Sequence, residues 1–126
     1  MHNKIEYDSP IANIYWDERG FYMFKMKNSS AIYDEEETIR QFDFFITHSQ
    51  GKPYKVAVDT RESLVFPTDA SFDYFFEHNK MVNKNAVIAN SLPMQLMMGQ
   101  MYKGSQIKNT KLFKTEEEAI AWLLND

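Results

Sequence analysis

The chain has 126 residues, 44% of them hydrophobic and 15% aromatic, with a formal net charge of −4 and no cysteine. That is enough apolar chain for one folded domain and too little for two ordinary ones. The acidic balance argues against nucleic acid or anionic membranes as partners, and the lack of cysteine removes disulfides, thiolate metal sites and thiol nucleophiles.

The opening "MHNKIEYDSP" has no apolar stretch of the kind a secretory signal carries. No apolar run approaches the roughly 20 residues that span a bilayer. A cytoplasmic protein without membrane insertion is the expectation.

Residues 11–27, "IANIYWDERGFYMFKMK", read as a hairpin. Two aromatic-rich runs flank Asp17-Glu18-Arg19-Gly20, and Gly20 can supply the positive φ of the turn. "YDEEETIRQFDFFITHSQG" then reads as a helix, with Asp34 as its cap and Glu37 at the capping-box position. Ile39, Phe42, Phe45 and Ile46 form its apolar side, and Gly51 and Pro53 end it.

"YKVAVD" at 54–59 is a short β-branched run of the kind buried in a parallel sheet. Pro67-Thr68 opens a second helix carrying Phe72, Phe75 and Phe76. "NAVIAN" at 85–90 is another buried strand, "LPMQLMMGQMYKG" a third helix and "TKLF" at 110–113 a short strand. Thr115-Glu116-Glu117-Glu118 begins the last helix, whose apolar surface comes from Ala119, Ile120, Trp122, Leu123 and Leu124. The order β-β-α-β-α-β-α-β-α predicts the α/β class: a single mixed, mostly parallel sheet flanked by helices, as one domain over 1–126. "FDFFITH" at 42–48 recurs as "FDYFFEH" at 72–78. Two helix–loop–strand units meeting the same packing demand explain the echo, since no further copies follow.

Met94, Met97, Met98 and Met101 stand at i, i+3, i+4 and i+7, one stripe of one helix. Core packing demands that spacing, and methionine fills irregular space well. Thioethers also suit copper(I), but no cysteine or nearby histidine supports a metal site. The stripe is therefore expected to pack on the sheet, on a second subunit or around an apolar ligand. Gly99, unfavourable inside a helix, is expected to mark a close approach to the backbone.

In open α/β sheets, functional residues gather at the carboxyl ends of the strands. That edge would collect Asp59, Thr60 and Arg61 after one strand, Asn90 and Ser91 after the next, and Thr68 at a helix start. The same residue types also end strands because they make turns and caps. No histidine base, glycine-rich phosphate loop or spaced carboxylate pair completes a catalytic set there. His48 and His78 each read as complements to a helix C-terminus, and the acidic runs Asp34–Glu37 and Glu116–Glu118 as first-turn charges. Lys103, Lys108, Lys111 and Lys114 read as a solvated rim. No metal and no cofactor are expected.

The stretch "GKPYKVAVDTRES…AVIAN…SLPMQLMMGQMYKG…KLFKTEEEAIAWL" resembles the SpoIIAA-like proteins, relatives of the STAS domains of anti-sigma-factor antagonists. The resemblance covers roughly residues 50–125. It implies a small α/β domain without catalysis, often dimeric, acting on a protein partner. True antagonists are switched by phosphorylation of a Ser or Thr at the helix start after the "VAVD"-like strand. The matching hydroxyl here is Thr68 in "FPTDAS", where the family's flanking glycine is missing. The combined expectation is a non-enzymatic domain, homodimeric, working by protein–protein contact through the Met94–Met101 face. Its rival is a carrier of a small apolar, lipid-like ligand in a pocket beside the Met-rich helix, lined by Met94, Met97, Met98 and phenylalanines.

Overall fold

Strands and helices alternate along the chain in the computed structural model, which describes residues 5–105 and 109–125, and of 100–105 the backbone only. In order they are β1 (Glu6–Asp8), β2 (Ala12–Asp17), β3 (Phe21–Met26), α1 (Glu35–Ser49), β4 (Tyr54–Asp59) and α2 (Asp69–His78). A single 3-10 turn (Asn79–Met81) leads to β5 (Val82–Ile88), α3 (Leu92–Ser105), β6 (Thr110–Phe113) and α4 (Glu116–Leu124). One sheet takes all six strands in the order β1-β2-β3-β4-β5-β6. The first three are antiparallel, and β3 to β6 run parallel.

The mixed α/β sheet is as expected, with one strand more. β1 was not foreseen: it is three residues of mixed polarity, held on the edge by pairing with β2. The predicted 85–90 strand starts three residues earlier, at Val82, and ends at Ile88. The hairpin closes as expected, with Gly20 at φ 116° and its amide donating to the Asp17 carbonyl at 2.9 Å.

Alternation along the strands sorts side chains onto two faces. Ile14, Tyr22, Phe24 and Val56 point to the face covered by α1, where Phe45 packs on them. Val87 and Val58 of the same face meet Met94 and Met98 of α3. The other face presents Ala57 and Ala86 in the central strands, and these small side chains let α4 settle closely with Ala119 and Leu123. Two lysines fix that helix from below: Lys55 Nζ donates to the Leu123 carbonyl at 2.7 Å, and Lys84 Nζ to the Trp122 carbonyl at 2.9 Å and to that of Asn125. The last carbonyls of α4 thereby gain both partners and positive charge.

All three foreseen caps form: Asp34, Thr68 and Thr115 accept from the amides of Glu37, Ser71 and Glu118. α1 ends at Gln50 and Gly51, both with positive φ. Ile46, expected on its apolar side, is exposed, and the inward positions are Phe42 and Phe45 with Phe44 half-buried beside them. Among the described residues, no helix is long and apolar enough to cross a membrane.

Candidate functional site

The carboxyl ends of β3, β4 and β5 meet at one edge of the sheet, and the sequence-picked residues do collect there. Asp59 closes β4 and folds onto the next turn. Its Oδ1 accepts from the amide and Nε of Arg61 at 3.0 and 2.9 Å, and its Oδ2 from Nη2 at 2.8 Å. Arg61 also donates to Glu116 at 3.2 Å. Burial raises the Asp59 pKa, but the hydrogen bonds from Arg61, with the charges of Arg61 and Lys25, outweigh it and hold the carboxyl below its ordinary range. A carboxylate so engaged is a poor base. The same Asp-x-Arg fork recurs at Asp17 and Arg19 in the hairpin turn, which marks it as a way of closing a turn.

The neighbours divide in the same way. Thr60 is buried, and its hydroxyl donates to the Ile88 carbonyl at 2.7 Å, locking the end of β4 to β5. Ser91 Oγ accepts from the Met94 amide at 3.3 Å at the start of α3. Asn90 is exposed and, with Lys25, Arg61 and Glu62, borders an open hollow of about 410 Å³ beside Asp59. Thr68 is half-buried; its hydroxyl accepts from the Ser71 amide at 3.2 Å, and its own amide donates to Tyr33. Side chains that can hold a hydroxyl or a phosphoryl group are thus present, but at this edge no nucleophile–base pair is assembled among the described residues.

Around this edge runs apolar surface. Leu64 is 73% exposed and Ile32 71%, and Phe66 also reaches solvent. Ile32 and Phe66 flank the Tyr33–Pro67 bridge that joins their two loops. At the start of α3, Leu92 and Leu96 are 66% and 58% exposed.

The methionine stripe is divided by the fold. Met94 and Met98 are buried against Val87 and Ala89, so this half packs on its own sheet. Met97 is 36% exposed, turned towards solvent with Leu96. The side chain of Met101 lies outside the described residues, as do Lys108 and the side chain of Lys103. No close approach explains Gly99: a methyl group built there would meet nothing within 4 Å.

A second site, which the sequence placed only loosely, lies between α1, α2 and the sheet. It is a cavity of about 80 Å³, walled by phenylalanines of β3, α1 and α2 and by Met98, but not by Met94 or Met97. Val56, Tyr54 and Asn85 supply its floor. The Tyr54 hydroxyl and Asn85 Oδ1 are buried without a hydrogen-bond partner. Burial pushes the Tyr54 phenol far above its usual pKa, with a smaller rise from Tyr22, so it is a neutral O–H donor.

One buried charge was missed. Glu37, read as the reciprocal half of a capping box, instead turns its Oε2 to Tyr7 Oη and Ser9 Oγ at 2.9 Å each and to Gln41 Nε2 at 2.8 Å. Its position offers no signal, because two of its donors lie 28 and 30 residues away in the unforeseen β1 region. Of the histidines, His78 does bond a carbonyl of the last turn of α2, through Nδ1 to Tyr74 at 2.9 Å. His48 pairs its Nδ1 with the Tyr22 hydroxyl at 2.6 Å and stacks on Phe44, which the dipole argument did not foresee.

A family profile described as "Domain of unknown function (DUF7793)" matches residues 15–125. No match was found among curated proteins. Among solved structures, the chain is similar to an uncharacterized protein of the DUF3478 family with a SpoIIAA-like fold, from Shewanella loihica PV-4. That likeness has a TM-score of 0.64 at 16% identity and covers 98% of each chain. The fold is therefore SpoIIAA-like; at that identity the likeness speaks to fold alone.

Proposed function

We propose, for a chain that belongs to the DUF7793 family and carries the SpoIIAA-like fold, that it works without catalysis as a cytoplasmic regulatory domain acting by protein–protein contact. The observation that carries this is the apolar rim at the carboxyl edge: Ile32, Leu64 and Phe66 on two loops, Leu92 and Leu96 on α3. Scattered exposed hydrophobics need no explanation, but several large ones at one end of a small domain are interface material.

The first partner is a second copy of the chain. The Asp59–Arg61 fork and Asn90 border the apolar rim and supply its polar edge. Thr68 sits at the same edge, at the N-terminus of α2. A phosphoryl group on its oxygen would put up to two negative charges at the N-terminus of α2 and next to that rim, and so switch the contact.

Light scattering over a dilution series tests this, with wild type beside Leu92→Asp/Leu96→Asp. The expected result is a dimeric wild type and a monomeric variant with unchanged far-UV circular dichroism. A photo-crosslinking residue at position 96 extends the test to other proteins in the cells of origin. A wild type that is monomeric throughout, with no adduct at position 96, refutes the proposal.

A further inference from the structure

We propose that the cavity beneath α2 is a binding site for a compact neutral molecule, largely apolar, bearing one hydroxyl or carbonyl group. The inference stands apart from the interaction surface and rests on the chemistry of the cavity wall. Every described residue that lines it is apolar or neutral; among the described residues no Asp, Glu, Lys, Arg or His contributes. A charged ligand would meet no counter-charge there, and burying it unpaired is prohibitive.

Most polar groups of the wall are already satisfied by one another. Thr38 and Ser71 share a hydrogen bond, and Gln41 accepts from Tyr33 at 2.7 Å while donating to Glu37 at 2.8 Å. Two are not. The hydroxyl of Tyr54 and Oδ1 of Asn85 have no partner, although these residues are only 5% and 3% exposed. A buried polar atom left unpaired costs stability, and Phe or Leu would fill the same positions without that cost. The Tyr54 hydroxyl can donate to a ligand hydroxyl or carbonyl, and Asn85 Oδ1 can accept from a hydroxyl.

Their positions are also fixed. The Tyr54 ring stacks on Phe45 at 4.9 Å and stands edge-on to Tyr22 at 5.5 Å, and the Asn85 backbone is bonded into β5 with its amide on Asn109 at 2.8 Å. A volume of about 80 Å³ is roughly half the ~150 Å³ of an engineered cavity that admits benzene. The ligand is accordingly of about three or four heavy atoms by that comparison, smaller than the lipid-like molecule read from the sequence. α2 packs chiefly on α1, and Ser71 is its only buried residue, so it is the least deeply held wall of the cavity.

The test uses the full chain with methyl NMR, following Val56, Val82 and Met98, which line the cavity. The probe is propan-2-ol, with acetate as the charged control of the same heavy-atom number and branching. Saturable shifts confined to those methyls, absent with acetate, are expected. Tyr54→Phe keeps the ring and removes the unpaired hydroxyl, so it should melt no lower than wild type yet bind the alcohol at least about 5-fold more weakly, the loss of one hydrogen bond. No saturable shift up to the alcohol concentration at which the fold begins to unfold would show that the space holds only water and overturn the proposal. So would equal binding by acetate, unchanged affinity in Tyr54→Phe, or a lower melting temperature in that variant, which would mean the hydroxyl was already satisfied.

Discussion

Removal of the Glu37 carboxylate is the most demanding check on how the N-terminal edge is held. Its Oε2 gathers donors from Tyr7, Ser9 and Gln41, and Arg40 reaches Oε1 at 3.3 Å. In Glu37→Ala these donors lose their acceptor. Tyr7 and Ser9 lie near the surface and recover water, so each loses only the net value of a hydrogen bond, about 1 kcal/mol. Gln41 is 3% exposed, and its orphaned amide carries the larger penalty of a buried unsatisfied donor, roughly 1–3 kcal/mol. The expected loss is about 3–5 kcal/mol, a large part of the ~5–15 kcal/mol available to a domain. With a urea slope of about 2 kcal/mol/M, the midpoint falls by roughly 2 M. Exposed Glu36→Ala serves as the control and should change stability by about 0.5 kcal/mol or less. Urea titration followed by circular dichroism measures both. A Glu37→Ala loss under about 1 kcal/mol would refute the argument that this carboxylate anchors the β1 segment to α1.

Three further outcomes follow from single positions. Thr68→Ala should lower stability by about 1 kcal/mol through the lost cap, while Thr68→Asp, which can still accept from the Ser71 amide, should lose less; thermal unfolding separates them. Gly99→Ala should raise stability by up to about 1 kcal/mol, because a helix interior with open space gains from the methyl group; a lower melting temperature would show a contact at that site. For Asp59 the folded pKa is depressed, so its ionised form adds stability above the unfolded value near 3.8 and loses it as pH falls through the lower folded value. Asp59→Asn should therefore unfold at a lower denaturant concentration than wild type at pH 6. The gap should narrow as the pH drops from about 4 towards 2, and a constant gap would exclude an electrostatic role for the fork.

How much of this was legible in the sequence depends on the range of each signal. The caps at Asp34, Thr68 and Thr115 and the strands at 54–59 and 110–113 rest on local rules, and they form where those rules put them. The extra strand β1 escaped because three residues cannot show a period; it exists through its pairing with Asn13, Ile14 and Tyr15. Helical spacing groups four methionines, but among those whose side chains are described Met94 and Met98 pack on the sheet while Met97 faces solvent. At the strand ends, composition gathered these residues at one edge but could not separate Thr60, spent on a backbone carbonyl, from Asn90, left at the open hollow. The unpaired Tyr54 hydroxyl lay beyond any sequence rule, since satisfaction of a polar atom is a property of its neighbours.

The sheet order carries one more consequence, for how the chain is made. Its strands lie side by side in the order of synthesis, with none inserted between earlier neighbours. Each new strand therefore meets a finished edge as it appears, and no earlier pairing has to open to admit it. Loop closures stay short and folding can advance in step with translation, the antiparallel hairpin first and the parallel units after it. Until β6 and α4 arrive, the growing edge at β5 stays open with Ala86 and Ile88 uncovered, so the late intermediate is the species most exposed to association with its own kind.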